Sequence, residues 1–153
     1  MKIIDILDKN CIIEELASQD KKGALEELVS VLVDNDRLKD KEKALQVLLE
    51  REKLGSTGIG DGIAIPHGKL KGIKGIICSF GRSKNGIDFQ SLDGKPTHLF
   101  FLLLAPEDSA GEHLKALARL SRLLKDTQFR ERLMEAKTKE EIYSIIAEED
   151  ESY

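Results

Sequence analysis

Two histidines in unusual settings carry most of the chemistry this sequence offers. His67 stands between Pro66 and Gly68, near the end of the stretch Gly55–Leu70, GSTGIGDGIAIPHGKL. Proline fixes the approach of the chain and glycine leaves one side of the imidazole open. His113 lies one residue past Glu112, in the first turn of a helical pattern. The positive end of a helix dipole disfavours protonation there. A neutral imidazole can donate one hydrogen bond and accept another. The plainer readings are a structural loop histidine at 67 and a helix-surface histidine at 113, whose apolar stripe begins at Leu114. The third histidine, His98, opens an apolar run and reads as a partly exposed strand-end residue. No two histidines stand at helical i, i+4 spacing, and neither Cys11 nor Cys78 has a ligand-spaced neighbour. No metal site is expected.

The loop that leads to His67 holds Gly55, Gly58, Gly60 and Gly62, with Gly68 just beyond. Such density suits neither a helix nor a regular strand, because each glycine has extra conformational entropy to lose on folding. Close approach of backbone to a ligand would offset that cost. The amides around Gly58, with the Ser56 and Thr57 hydroxyls, are therefore candidate donors to an anion; an ordinary turn is the competing reading. Nucleotide motifs do not fit. Gly68-Lys69 is followed by Leu70 instead of Ser or Thr, and the position where a Walker loop needs its first glycine is Ile63. Gly58 and Gly60 are followed by Gly62, which breaks the dinucleotide fingerprint.

Helices and strands must place these residues. KKGALEELVSVLVDN, behind Ser18 and Asp20, puts Leu25, Leu28, Val29 and Leu32 on one face. KEKALQVLLEREKLG, behind Asp40, points Ala44, Leu45, Leu48 and Leu49 inward and stops at Gly55. Cys11–Leu16 is ambiguous between strand and helix. The middle third is strand-rich: GIICSFGR, a hairpin turn expected at Asn85-Gly86, then Thr97–Ala105, apolar at odd and even positions alike. That last pattern predicts a central strand covered on both faces. Ser109 and Glu112 form a candidate capping box for a helix with Leu114, Leu117, Leu120, Ser121 and Leu124 buried. DTQFRERLMEAK predicts a short helix, and Thr138 with Glu141 caps a last one. Helices around a strand-rich middle imply one α/β layered domain over residues 1–153.

Composition narrows the function classes. The 153 residues carry 24 Lys+Arg against 28 Asp+Glu, a net charge of −4, which argues against a partner held by global attraction to nucleic acid. The longest apolar run, Leu99 to Ala105, is far too short to span a bilayer, and Asp5 and Asp8 interrupt any leader-like stretch. Two cysteines in apolar runs point to a reducing compartment, so a cytoplasmic protein without membrane insertion is expected.

GSTGIGDGIAIPHGKL, together with Arg51-Glu52 upstream and LLLAPEDSAGEHLKAL downstream, resembles the IIA domains of the fructose–mannitol family. These type-2 EIIA domains belong to the phosphoenolpyruvate-dependent sugar phosphotransferase system (PTS). Within the family the chain looks most like the free-standing nitrogen-regulatory IIA branch, from about Ile3 to Ala147. The resemblance implies a mixed β-sheet flanked by helices on both faces and a phosphoryl group carried by His67. It places the second active-site histidine at His113 and the active-site arginine at Arg51, and it matches Asp61 to a polar or acidic position in the phosphate-binding loop. It implies no cofactor. The expected partner is an HPr-type phosphocarrier protein. A sugar-specific IIA would pass phosphate on to a IIB cysteine, whereas a nitrogen-regulatory IIA would control a target protein through its phosphorylation state. The lack of a fused IIB or IIC segment in these 153 residues favours the regulatory role.

The residues make physical sense of that expectation. A phosphoryl-accepting histidine needs a neutral nitrogen aimed at phosphorus. The transferred charge needs preorganised donors, because phosphoryl transfer is mostly positioning and electrostatics. Arg51 supplies a permanent planar cation. Two other classes stay open: a non-catalytic regulatory binding module, and a thiol or hydrolytic enzyme pairing Cys78 with a histidine. Against the latter, Cys78 lies in the apolar run Ile76–Phe80 and reads as buried and inert.

Overall fold

The computed structural model describes residues 1–153. A short 3-10 turn leads into strand β1 (Leu7–Ile13), followed by helices α1 (Lys21–Asp34) and α2 (Lys41–Lys53). Three short strands come next, β2 (Gly58–Gly60), β3 (Ile63–Ala64) and β4 (His67–Leu70). Two long strands, β5 (Ile77–Ile87) and β6 (Thr97–Pro106), precede helices α3 (Ala110–Leu123), α4 (Thr127–Glu135) and α5 (Lys139–Glu151). The sheet order is β1-β5-β6-β3-β2, with β4 also paired to β6. β5 and β6 are antiparallel, whereas β1 on β5 and both β3 and β4 on β6 run parallel, so the sheet is mixed.

Strand β6 is the centre of this arrangement. Leu99 through Ala105 are all buried, as residues of a strand covered on both faces must be. Both faces are indeed covered. Ser79 Oγ on β5 donates to Leu28 O of α1 at 2.9 Å, while Arg82, three residues along and so on the opposite face, donates to Leu133 O of α4 at 2.8 Å. Arg82 is buried and has no carboxylate partner; it caps the C-terminal carbonyls of α4 instead.

Local signals explain most helix starts. Asp20 accepts from Gly23 N at 2.8 Å, Asp40 from Lys43 N at 3.1 Å and Thr138 from Glu141 N at 3.1 Å. Asp20, not Ser18, is the cap of α1. Helix α1 buries Leu25, Leu28, Val29 and Leu32 as expected. Helix α2 buries Ala44 and Leu48 fully and leaves Leu45 and Leu49 half-buried. The ambiguous segment resolves in part as strand, since β1 includes Cys11–Ile13.

Three expectations need correction. Asn85-Gly86 is not a hairpin turn: β5 continues to Ile87, and Gly86, at φ 87°, sits where the register with β6 shifts between Arg82 and Ile87. The long strand absorbs the extra residues as an irregularity of the kind that left-handed glycine permits. Ser109 precedes α3, but its hydroxyl donates to Pro106 O at 2.8 Å instead of capping. Helix α3 buries Leu120 and Leu124 as expected but turns another face inward at its start. It buries His113, Ala116, Leu120 and Leu123, and Leu114 is 66% exposed.

Strands β3 and β4 are two pieces of one line along the same edge of β6. Ile63 and Ala64 pair with Leu99 and Phe100, and His67–Leu70 pair with Leu103–Pro106. The break falls at Ile65-Pro66, where proline has no N–H to offer a ladder. Helix α2 packs onto β4 so closely that a Cβ at Gly68 would lie 2.6 Å from Val47 Cγ1. That contact sets the spacing between α2 and the strand that begins with His67. Gly68→Ala is expected to cost about 1–3 kcal/mol through overpacking, measured by chemical denaturation.

Candidate functional site

His67 heads β4, half-buried, and its Nδ1 lies 2.8 Å from Ile65 O. A carbonyl only accepts, so Nδ1 carries the hydrogen and in the neutral ring Nε2 holds the lone pair. His113, on the first turn of α3, stands edge-on to it, with ring centroids 5.4 Å apart and planes at 73°. His113 is only 6% exposed, and its Nε2 is buried with no hydrogen-bond partner. An unpartnered buried polar atom costs about 1–3 kcal/mol, and no protein group offsets that cost at His113 Nε2.

Arg51 completes the group from the last turn of α2. Its Nη1 donates to Gly55 O at 2.9 Å, which steadies the guanidinium and leaves its other donors for a ligand. The three side chains line one open cavity of about 670 Å³, with Lys69 beside them and Leu54 and Leu114 at the apolar side.

Burial is the first cause that holds both histidines neutral. The pKa of His67 lies below the usual imidazole value because the ring is desolvated. Arg51 lowers it further, while the Ile65 hydrogen bond and the Glu52 carboxylate act the other way. His113 is lowered by desolvation first, then by His67 and Lys69. The direction expected for His113 holds, but burial is its principal cause.

The glycine-rich segment is built differently from a ligand-facing loop. Thr57 Oγ1 donates to the Glu52 carboxylate, and Ser56 Oγ donates to Phe89 O at 3.2 Å while accepting from Gly58 N at 3.0 Å. Gly58 O accepts from Leu92 N and Ser91 Oγ. Asp61 and Gly62, at φ 56° and 75°, form the left-handed turn between β2 and β3, and Asp61 is exposed beside a separate cavity with His98 and Arg130. None of Ser56, Thr57, Gly58 or Asp61 lines the His67 cavity. The glycines serve internal turns and close strand approach, and the Ser56 and Thr57 hydroxyls are engaged within the protein. Sequence reasoning missed Glu52, a buried carboxylate; its only local signal was its place beside Arg51.

The remaining polar candidates lie apart. His98 Nδ1 bonds Ser83 O at 2.9 Å. Cys78 is buried and its thiol is pushed far up by desolvation; Cys11 is pushed up to about 11 for the same first reason. Neither is a nucleophile at neutral pH. No group of three or more His, Cys, Asp or Glu side chains is arranged to hold a metal ion, and no helix is long and apolar enough to cross a membrane.

Fold and site together define an α/β layered protein with a paired-histidine cavity at the edge of a mixed sheet. The chain belongs to the EIIA type-2 family of the phosphoenolpyruvate-dependent sugar phosphotransferase system, whose family model matches residues 5–149. It is 43% identical over 151 residues to a nitrogen regulatory protein of Bradyrhizobium diazoefficiens, covering 96% of this chain and 95% of that one. It is 42% identical over 150 residues to the fructose-specific EIIABC component of Bacillus subtilis, covering 98% of this chain but only 24% of that protein's length. The structure of the nitrogen regulatory protein IIA-Ntr from Neisseria meningitidis superposes with a TM-score of 0.87 at 37% identity, covering 94% of this chain and 98% of that one. The mannitol IIA–phosphorylated IIB complex from Escherichia coli shares the fold, with a TM-score of 0.77 at 23% identity, over 94% of this chain and 99% of that one.

Both depressed pKa values have a thermodynamic consequence of fixed sign. Between the folded pKa and the ordinary value near 6.5, the unfolded chain binds more protons than the folded one. The contribution of the pair to stability is therefore complete above about pH 6.5 and is lost as pH falls below it. In an NMR titration His67 and His113 should both show midpoints below that of a free imidazole. A His67→Gln/His113→Gln variant should lose less stability than the parent between about pH 7.5 and 5.5.

Proposed function

We propose that this chain is a phosphohistidine carrier that accepts a phosphoryl group on His67 Nε2 from an HPr-type carrier protein. The observation that carries this reading is the unpartnered, buried His113 Nε2 beside a His67 ring whose Nδ1 is already engaged. A phosphoryl group on His67 Nε2 brings oxygens into a cavity that supplies the His113 N–H and the Arg51 guanidinium. The transfer balances simply: a phosphorus–nitrogen bond breaks on the donor and one forms to His67 Nε2. The acceptor nitrogen carries no hydrogen, so no proton leaves it, and Nδ1 keeps its hydrogen, donated to Ile65 O. Arg51 meets the added charge with a planar fork, and a neutral His113 donates without repelling the incoming cationic ring.

The regulatory role is favoured over sugar transport. It is supported by the Bradyrhizobium nitrogen regulatory protein, 43% identical, and by the Neisseria IIA-Ntr structure, with a TM-score of 0.87 at 37% identity. Sugar-specific transfer to a IIB cysteine is the second reading, supported by a fructose-specific EIIA component of Haloferax volcanii, 42% identical over 128 residues and 83% of its length.

Phosphoenolpyruvate, the general phosphotransferase enzyme and an HPr-type carrier should label the parent with one acid-labile, base-stable group. His67→Ala should take up none while remaining folded, and NMR of the adduct should place phosphorus on Nε2. Arg51→Lys should slow uptake by about 10²–10³, and His113→Gln should accept phosphate yet release it abnormally. The phosphorylated protein should not label a fructose-type IIB domain. Labelling of His67→Ala at the parent level would overturn the assignment, and efficient transfer to IIB would establish the transport role.

A further inference from the structure

Behind the cavity lies a charged cluster that the phosphate chemistry does not touch. Glu52 is buried at the end of α2, and Lys21 Nζ meets its Oε1 at 2.8 Å, with both side chains largely removed from water. Thr57 N donates to the same oxygen at 3.1 Å, and the Thr57 hydroxyl donates to Oε2. The ammonium of Lys21 also stands 4.8 Å over the Phe89 ring. Stability alone is a poor reason for this arrangement. Lys21 opens α1, where the helix dipole repels a cation, and a buried ion pair often does no better than apolar residues of similar volume.

The connections of Thr57 give a better one. Its carbonyl accepts from Ile65 N at 3.0 Å, and the Ile65 carbonyl accepts from His67 Nδ1 at 2.8 Å. The peptide that carries that carbonyl joins Ile65 to Pro66, so it has no N–H of its own to anchor it. Its direction is inherited from Ile65, which is tied through its N–H to Thr57. Thr57 is in turn held twice by Glu52. An unbroken series of hydrogen bonds thus runs from Lys21 through Glu52, Thr57 and Ile65 to the nitrogen of His67 that must stay protonated.

We propose that Glu52 is a positioning residue for His67: by clamping Thr57 it aims the Ile65 carbonyl at Nδ1 and keeps the lone pair on Nε2. This deepens the phosphocarrier reading and rests on His67 as the acceptor. A ring with the hydrogen on Nε2 has no lone pair to offer the incoming phosphorus, so the tautomer ratio sets the fraction of molecules able to react.

The test reads the tautomer directly in the unphosphorylated protein, from the ¹⁵N shifts of the two ring nitrogens of His67 above its pKa. The parent should show Nδ1 protonated and Nε2 bare. Lys21→Met/Glu52→Gln removes both charges without stranding either one. It should lower the ratio of the two tautomers roughly threefold to tenfold, the weight of one hydrogen bond, and slow labelling by no more than that factor. Thr57→Val keeps the size and the backbone bonds and removes only the hydroxyl, so it decides the matter if the double variant does not fold; it should shift the ratio the same way by a smaller factor. A folded variant whose His67 shifts match the parent would overturn the proposal. The two readings fail separately: a tautomer shift in a protein that accepts no phosphate counts against the carrier function alone. Normal labelling with an unmoved tautomer counts against Glu52 alone.

Discussion

Strand β6 can be buried on both faces only because Leu99 through Ala105 carry no polar side chain, and the rest of the structure hangs on that strand. It receives β5 on one side and the broken line of β3 and β4 on the other. Its backbone offers a fixed ladder for His67 to enter at Leu103. The apolar content of one segment therefore decides the height in the sheet at which the histidine appears. Helix α2, pressed on β4 through Gly68, then decides how far Arg51 stands from it.

Around that frame the electrostatics are divided by depth. Near the cavity, burial keeps two imidazoles neutral, so the permanent cations of Arg51 and Lys69 face the place where anionic charge would arrive. Behind it, a carboxylate and an ammonium neutralise one another largely removed from water. Arg82 repeats the theme on the opposite side of β5, where its charge is met by the carbonyl end of α4 and not by an acid. In the two buried cases, Glu52 and Arg82, the charge is answered by fixed dipoles or a single counter-ion, as low-dielectric surroundings demand.

What the sequence disclosed follows from the range of the forces concerned. Helix caps at Asp20, Asp40 and Thr138, and the doubly apolar run of β6, are local signals and matched the structure. The setting of His67 was legible because Pro66 and Gly68 flank it. The partners of Ser56 and Thr57 were not, since those hydroxyls bond to Phe89 and Glu52, and nothing in the glycine pattern says whether a hydroxyl faces inward. The burial of His113 escaped because the leucine spacing of α3 suggested another face. That helix leaves Leu114 in water beside the cavity, and only the tertiary arrangement shows why an apolar residue stays outside. Asn85-Gly86 has the local chemistry of a hairpin, yet β5 runs through it.

Leu54, at 84% exposure, and Leu114, at 66%, border the cavity that holds His67. Covering a leucine fully gains about 1.5–3 kcal/mol. Two of them together gain about 3–6 kcal/mol, which reaches only the low end of the roughly 4–15 kcal/mol that two proteins lose in freedom on associating. A complex held by this rim alone therefore has a short residence time. In the phosphocarrier cycle proposed above, departure matters as much as arrival, and a rim this small favours fast dissociation.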